Sequence, residues 1–296
     1  MRILMISDVY FPRINGVSTS IQTFATEFSE QGHQVTLIAP DYGSVAQQRS
    51  WALRKGTSVP AATPRTEHTG GEPESFEIIR IAARRLPLDT EDRLLRMGRI
   101  RSLTPRLAVQ GYDLVHIQTP FIAHYAGVKL ARRLKVPVVE SYHTFFEQYV
   151  DKYITWLLPS WLRLAARRIS TAQCRSPDAL VVPSQAMRSV LEAYGVRTPT
   201  RVIPTGIELE QFSQGDGGRF RRRYGIPTDR PVLTHIGRLA FEKNVDFLLR
   251  MLVRVKREVP DVLYCSSSPA RDRHVADWKP WASSWAYMNS CCSWAI

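Results

Sequence analysis

The chain has 296 residues and a hydrophobic content of 44%, which is ordinary for a globular protein, and because its length exceeds that of a typical single domain we expect two domains. Its 40 Lys and Arg residues outnumber its 27 Asp and Glu residues, which gives a formal net charge of +13. This charge predicts an anionic partner, which is nucleic acid, an anionic membrane surface or a phosphorylated ligand, and does not choose among the three.

The amino terminus is a short apolar strand, residues 2–8, without the long apolar core and cleavage site of a signal peptide. No apolar run reaches the length that spans a membrane. We therefore expect a cytoplasmic protein, or one that is peripheral on the cytoplasmic side of a membrane. A Cys-x-x-Cys pair and a disulfide framework are both missing from the cysteines, so no zinc and no structural disulfide are expected. The cysteines are Cys174, Cys265, Cys291 and Cys292.

The first strand leads into a glycine loop and a helix. The helix has an apolar face at spacings of three and four residues, formed by Ile21, Phe24, Ala25 and Phe28. Thr19 and Gln22 predict a capping box, and Gly32 predicts the helix end. Gly16 lies where backbone N–H groups at a helix start would suit a phosphate, although it could equally serve a tight turn. The G-x-G-x-x-G dinucleotide pattern is absent.

After the second strand, residues 34–39, the composition of residues 42–74 predicts a long loop. A strand at 76–81 and an arginine-rich stretch follow. That stretch is either a solvated helical face or a contact with an anionic surface, and its arginines are Arg80, Arg84, Arg85, Arg93, Arg96, Arg99, Arg101 and Arg106. Two further strands are predicted at residues 113–117 and 136–140, with a helix at 122–134 between them.

An apolar strand ends abruptly in polar and aromatic residues at positions 141–149. His143, Thr144 and Glu147 would lie at the carboxyl end of the strand, where open α/β sheets bind ligands. A histidine with satisfied hydrogen bonds in the core is the alternative for His143. In the next segment, residues 152–169, Trp and other apolar side chains are mixed with Arg, which is typical of an interfacial amphipathic helix and also of a buried crossover helix.

The rest of the chain repeats the alternation of strands and helices. A strand at 178–184, a helix ending before Gly195 and a strand at 201–203 complete a first domain of residues 1–204. Residues 205–216 are the predicted linker. Residues 217–262 begin a second domain, whose strand-to-helix turn carries Arg238 and Lys243. Two cations beside a glycine backbone at a helix start predict an anion site that would suit a diphosphate.

The ordered set of motifs resembles glycosyltransferase family 4, whose members are retaining, sugar-nucleotide-dependent transferases of the GT-B fold. The resemblance covers residues 1–262 and is strongest for the branch that glucosylates diacylglycerol, with lipid mannosyltransferases as neighbours. The motifs are residues 11–17 and 32–35, residues 142–149, residues 182–184 and 204–207, and residues 237–239 with 242 and 243. The resemblance implies two Rossmann-like α/β domains with parallel sheets facing a cleft, the first binding the acceptor and the second most of the nucleotide sugar.

Roles for four residues follow from the resemblance. Gly16 should present its backbone N–H to the diphosphate, and His143 should act catalytically by hydrogen bonding the donor sugar near the reacting carbon. Arg238 and Lys243 should neutralise the leaving diphosphate. The resemblance implies no metal and no cofactor beside a donor of the UDP-glucose or GDP-mannose type. It also implies a lipid acceptor such as diacylglycerol, or a glycan, and a peripheral location on an anionic inner membrane.

The family pattern is lost in the tail, residues 263–296, where four of the seven Trp residues lie. The sequence predicts a frameshifted or prematurely ended reading frame, an incomplete second domain and a poorly ordered tail. The Glu-rich donor motif of the family has no counterpart here, so we expect an impaired transferase. The alternative is a non-catalytic membrane-binding remnant. No nucleic-acid-binding motif is visible, so we expect no nucleic acid partner.

Overall fold

A computed structural model describes residues 1–13, 15–43, 75–85, 93–143, 159–206, 213, 215–236, 243–268 and 291–295. The chain divides into two compact units, Met1–Ile207 and Glu208–Ile296. The division lies within the linker that the sequence predicts at residues 205–216. The predicted loop at 42–74 lies outside the described residues except for its first two positions, and the stretch at 144–150 lies outside them entirely.

The first unit is built on one twisted sheet of eight strands within the described residues. Their order is β4-β3-β2-β1-β5-β6-β7-β8, and all neighbours are parallel except β3 and β4. The strands are β1 (Arg2–Ile6), β2 (Gln34–Asp41), β3 (Glu77–Arg85), β4 (Arg93–Leu95), β5 (Leu114–Ile117), β6 (Val138–Ser141), β7 (Ala179–Val182) and β8 (Thr200–Val202). The chain changes direction of travel across the sheet between β1 and β5, which is a topological switch point.

Helices cover both faces of this sheet. They are α1 (Gly16–Glu30), α2 (Met97–Gln110), α3 (Ile122–Leu134), α4 (Pro159–Cys174) and α5 (Gln185–Ala193). Alternate residues of β1 enter different cores: Ile3 and Met5 pack with α1, whereas Leu4 and Ile6 pack with α2 and α3. Because both faces are buried, the strand is a continuous apolar run, as parallel strands usually are.

Helix α1 begins earlier than the predicted capping box at Thr19 and Gln22, so that prediction was wrong. Asn15 has an extended backbone, with φ −157°, and its side-chain oxygen accepts a 2.8 Å hydrogen bond from the Ser18 backbone N–H. A short amide at this position satisfies a free helix donor directly, which makes Asn15 the cap. Gly32 follows the helix end with φ +80°, which confirms the predicted stop.

The second unit contains a parallel three-stranded sheet and two helices within its described residues. Its strands are β9 (Val232–Ile236), β10 (Leu263–Ser268) and β11 (Cys291–Ala295), in the order β11-β10-β9, and its helices are α6 (Gly217–Tyr224) and α7 (Val245–Glu258). Residues 263–268, which the sequence assigned to the tail, form strand β10 instead. These residues form a strand because Val262, Leu263 and Tyr264 are buried and because β10 pairs in register with β9.

Candidate functional site

Polar side chains follow β1 and β5 at the carboxyl edge of the sheet and bind to each other. The Asp8 carboxylate accepts hydrogen bonds from the Leu95 backbone N–H at 2.9 Å, the Ala123 backbone N–H at 2.7 Å and the Thr119 hydroxyl at 3.0 Å. The Asp8 backbone N–H in turn donates to the Thr119 hydroxyl at 2.7 Å. A single buried carboxylate thus joins β1, β4, β5 and the first turn of α3.

The charge on Asp8 is under two opposing influences. Burial raises the pKa of Asp8 to about 6, although the hydrogen bonds from Ala123, Leu95 and Thr119 each act to lower it. Desolvation is the larger effect because Asp8 is almost completely buried, which disfavours the charged form. Asp8 is therefore ionised at neutral pH and takes up a proton in mildly acidic solution.

His143 lies two residues beyond the end of β6, at the same edge. Its Nε2 atom is 3.2 Å from the side-chain oxygen Oε1 of Gln118, the first residue after β5. Burial lowers the pKa of His143 to about 4, so the imidazole is neutral at pH 7. A neutral, partly exposed histidine at this edge is suited to exchange hydrogen bonds with an uncharged polar ligand.

Two neighbouring histidines fit the alternative of a satisfied core histidine. His116 Nε2 is 2.9 Å from the Ser141 hydroxyl, and His124 Nδ1 is 2.9 Å from Glu140 Oε2. Both histidines are only 2% exposed. Burial, and then repulsion from His143 once that ring is protonated in acid, lowers the pKa of His116 to about 3. His143 differs from both because its side chain is partly exposed.

Gly16 is the first residue of α1, which directly follows the loop after β1. It is exposed, and a Cβ atom placed on it would meet no other atom within 4 Å. The backbone N–H groups of a first helical turn have no partner within the helix, and here the Asn15 cap satisfies the one on Ser18. Gly16 follows β1 and His143 follows β6, so both residues lie at the carboxyl edge of the sheet. Strand β5 lies between these two strands.

The two predicted cations belong to the second unit. Arg238 lies outside the described residues. Lys243 is exposed and directly precedes Asn244, the residue before α7. Burial, and then the charge of Lys243, lowers the pKa of His235 in β9, which places this lysine near the end of that strand.

The sequence did not single out Asp8, Thr119 or Gln118 as site residues. Each of them follows a strand by one or two residues, as His143 does, and that shared position is the signal which could have found them. Within the described residues, no group of three or more His, Cys, Asp or Glu side chains is placed to hold a metal ion. In the same part of the chain, every helix is too short or too polar to cross a bilayer.

Several solved structures have the same fold as this chain. Anabaena HepE, crystallised with UDP-glucose, is similar over the whole of this chain and 69% of its own, with a TM-score of 0.67 and 14% identity. Sucrose-phosphate synthase from Thermosynechococcus elongatus is similar over 99% of this chain and 70% of its own, with a TM-score of 0.64 and 15% identity. These similarities confirm the predicted α/β class of the GT-B type, in which the first unit is a Rossmann-like domain.

The sequence pattern of Glycosyltransferase Family 4 matches residues 14–211, and the chain belongs to this family. It is 31% identical over 265 residues to alpha-monoglucosyldiacylglycerol synthase from Streptococcus pneumoniae, covering 87% of this chain and 53% of that one. It is 27% identical over 250 residues to a GDP-mannose-dependent alpha-mannosyltransferase from Mycobacterium tuberculosis, covering 84% and 58%. The chain thus spans little more than half the length of these relatives, and the family prediction is confirmed.

Proposed function

We propose that the chain transfers a hexosyl group from a nucleotide sugar to a membrane lipid such as diacylglycerol, with retention of the anomeric configuration. One observation carries the proposal: Gly16 at the start of α1 and His143 after β6 lie at one edge of the sheet, beside the switch point between β1 and β5. Open parallel sheets bind ligands at this edge. The names of the relatives supply the class of donor and acceptor.

The chemistry of the reaction suits these groups. Breaking a glycosyl–phosphate bond develops negative charge on the leaving oxygens, and fixed donors and cations stabilise that charge. In the first unit, the backbone N–H groups beside Gly16 are suited to bind a phosphate group. In the second unit, Arg238 and Lys243 are suited to neutralise a leaving diphosphate. His143 hydrogen bonds the sugar. Because His143 is neutral at pH 7, it does so as an uncharged group and not as a cation.

A membrane surface is the second part of the proposal. Helix α4 has a buried side, which includes Ala166 and Cys174, and an outer side on which Leu164 is 44% exposed and Ile169 is 55% exposed. The exposed Arg168 lies beside Ile169. Exposed apolar residues next to a cation, on a chain of net charge +13, favour a peripheral location on the anionic cytoplasmic face of the inner membrane.

Donor binding is the first test, by calorimetric titration of the chain with UDP-glucose and with GDP-mannose. His143→Ala removes one hydrogen bond and should weaken binding about fivefold, whereas Lys243→Ala removes a charge on the diphosphate and should weaken it at least about tenfold. His33→Ala, before β2 at the opposite edge, and Lys256→Ala, near the end of α7, are the matched controls. Binding that is equal in all four variants contradicts the proposed site.

Product formation with a sugar nucleotide and diacylglycerol liposomes tests transfer itself. The prediction of impaired turnover stays open until this measurement is made. Sedimentation with anionic liposomes, together with no binding of either nucleotide sugar, would instead support the alternative of a non-catalytic membrane-binding protein.

A further inference from the structure

Gln118 is a buried side chain at the carboxyl edge to which neither the sequence nor the family resemblance gives a role. Its side chain is 0% exposed. Its backbone N–H donates to the Ile6 carbonyl of β1 at 2.9 Å, which holds Gln118 between β1 and β6. Its amide oxygen Oε1 lies 3.2 Å from Nε2 of His143. Gln118 thus contacts the one histidine of this edge that is partly exposed.

The pair leaves two polar atoms without a partner in the described part of the chain. The amide nitrogen of Gln118 is buried and has no hydrogen bond. The Nδ1 atom of His143 also has none. By contrast, the neighbouring His116 and His124 bind Ser141 and Glu140. A methionine would fill the space of Gln118 without burying an unpaired amide, so packing does not explain this residue.

The contact determines which nitrogen of the imidazole carries the proton. An amide oxygen can only accept a hydrogen bond, so Nε2 of His143 must be the donor. A neutral imidazole has one N–H group, and the proton on Nε2 leaves the lone pair on Nδ1. His143 is neutral at pH 7, as its burial requires. The histidine is therefore a hydrogen-bond acceptor at Nδ1.

We propose that Gln118 is a positioning residue that holds His143 as its Nε2–H tautomer, so that Nδ1 accepts a hydrogen bond from a hydroxyl group of the bound sugar. The identity of the ligand rests on the proposed function, whereas the tautomer does not. His143 is partly exposed and Gln118 is completely buried, so His143 is the member of the pair that a ligand can reach.

Imidazole ¹⁵N NMR of the whole chain tests the proposal, since protonated and unprotonated ring nitrogens have well-separated shifts. His143 in the unaltered chain should be in the Nε2–H form by more than about tenfold, and Gln118→Met should lower that preference about fivefold, to the one that a free imidazole has. Gln118→Glu keeps an acceptor oxygen and should keep the proton on Nε2. Gln173→Met is the matched control, because Gln173 is also buried but donates to the Pro120 carbonyl at 2.7 Å.

Titration of the same samples with UDP-glucose separates the effect of Gln118 on the His143 tautomer from the identity of the ligand. Gln118→Met should weaken binding about fivefold, while Gln173→Met should leave it unchanged. The proposal is overturned if His143 of the unaltered chain is in the Nδ1–H form. It is also overturned if Gln118→Met has the same preference for the Nε2–H form as the unaltered chain. The resonances of His116 show whether each variant is folded. If the tautomers follow the expected pattern but the unaltered chain binds neither UDP-glucose nor GDP-mannose, the positioning role stands and the proposed function fails.

Discussion

Asp8 is the residue that connects most of the elements at the candidate site. Its carboxylate is the acceptor for two buried backbone N–H groups, those of Leu95 and Ala123, and for the Thr119 hydroxyl. Asp8→Ala leaves both N–H groups without an acceptor, and each unsatisfied group costs about 1–3 kcal/mol. We expect a loss of stability of about 3 kcal/mol, measured as a lower melting temperature. A variant that melts with the unaltered chain would show that water replaces the carboxylate.

Two kinds of titratable group at this edge, the histidines and Asp8, have opposite effects on stability when the pH is lowered. The pKa of His116 is lowered from 6.5 to about 3, and that of His143 to about 4. As the pH falls below 6.5, the unfolded state binds protons that the native histidines do not, so stability decreases. Asp8 has the opposite effect on stability. Its pKa is raised from 3.8 to about 6, so the native carboxylate binds a proton first and offsets part of the loss below pH 6.

Single variants separate these contributions. His143→Ala removes one of the groups that lose stability in acid, so its urea midpoint should fall less between pH 6.5 and pH 4 than that of the unaltered chain. Asp8→Asn removes the offset and should make the fall steeper below pH 6. Urea unfolding at several pH values measures both slopes. Parallel curves for the three proteins would mean that these groups have ordinary pKa values in the native state.

The sequence predicted His143 and Gly16 as edge residues because local patterns of strand and helix determine their positions. It did not predict the contacts of Asp8, since Asp8 and Thr119 are 111 residues apart and meet only because β5 lies next to β1. The same limit applies to Gln118 and His143, which follow different strands. Strand order depends on pairing over long separations, and no local period encodes it.

At the scale of the elements, α3 is held unusually close to the sheet at Gly127. A Cβ atom on Gly127 would lie 2.6 Å from Cγ1 and 2.8 Å from Cδ1 of Ile117 in β5, and 3.1 Å from Cγ2 of Ile6 in β1. Both isoleucines are completely buried, so they have little space into which to move. The absence of a side chain at Gly127 therefore sets the distance between the helix and the two strands beside the site.

Gly127→Ala tests this close approach. Overpacking costs about 1–3 kcal/mol, which exceeds the gain of about 1 kcal/mol that alanine brings to a helix, so we expect a net loss of stability. Gly98→Ala in α2 is the matched control, because a Cβ atom there meets nothing within 4 Å. The control should be neutral or more stable in urea unfolding. Equal gains in both variants would show that α3 can move away from the sheet at no cost.

Helices whose apolar residues have a clear periodicity were predictable from the sequence. The helix predicted at 122–134 is α3 as observed, and the first helix was found from its apolar face. The start of α1 was misplaced because the cap is a single side-chain hydrogen bond from Asn15. Strand β4 and helix α6 were not predicted, because β4 has only three residues and α6 is a short helix with four arginines and no buried residue.

On the scale of the whole molecule, the proposed membrane association combines the net charge of +13 with the outer side of α4. Under this proposal, charge attracts the chain to an anionic bilayer over distances that salt screens, whereas Leu164 and Ile169 act only on insertion. Binding to vesicles of phosphatidylglycerol and phosphatidylcholine should therefore weaken with added salt. At high salt a residual affinity should remain that depends on the apolar residues.

Ile169→Glu isolates the apolar contribution. Burying a side chain of this size in the interface contributes about 1.5–3 kcal/mol, so its loss should reduce vesicle binding at least about tenfold, beyond the effect of one added negative charge. Val109→Glu is the matched control, because Val109 is 89% exposed on α2 and the substitution changes the net charge equally. Sedimentation with vesicles measures both variants. If both lose the same affinity, charge alone holds the chain on the membrane, and α4 is not the surface that enters it.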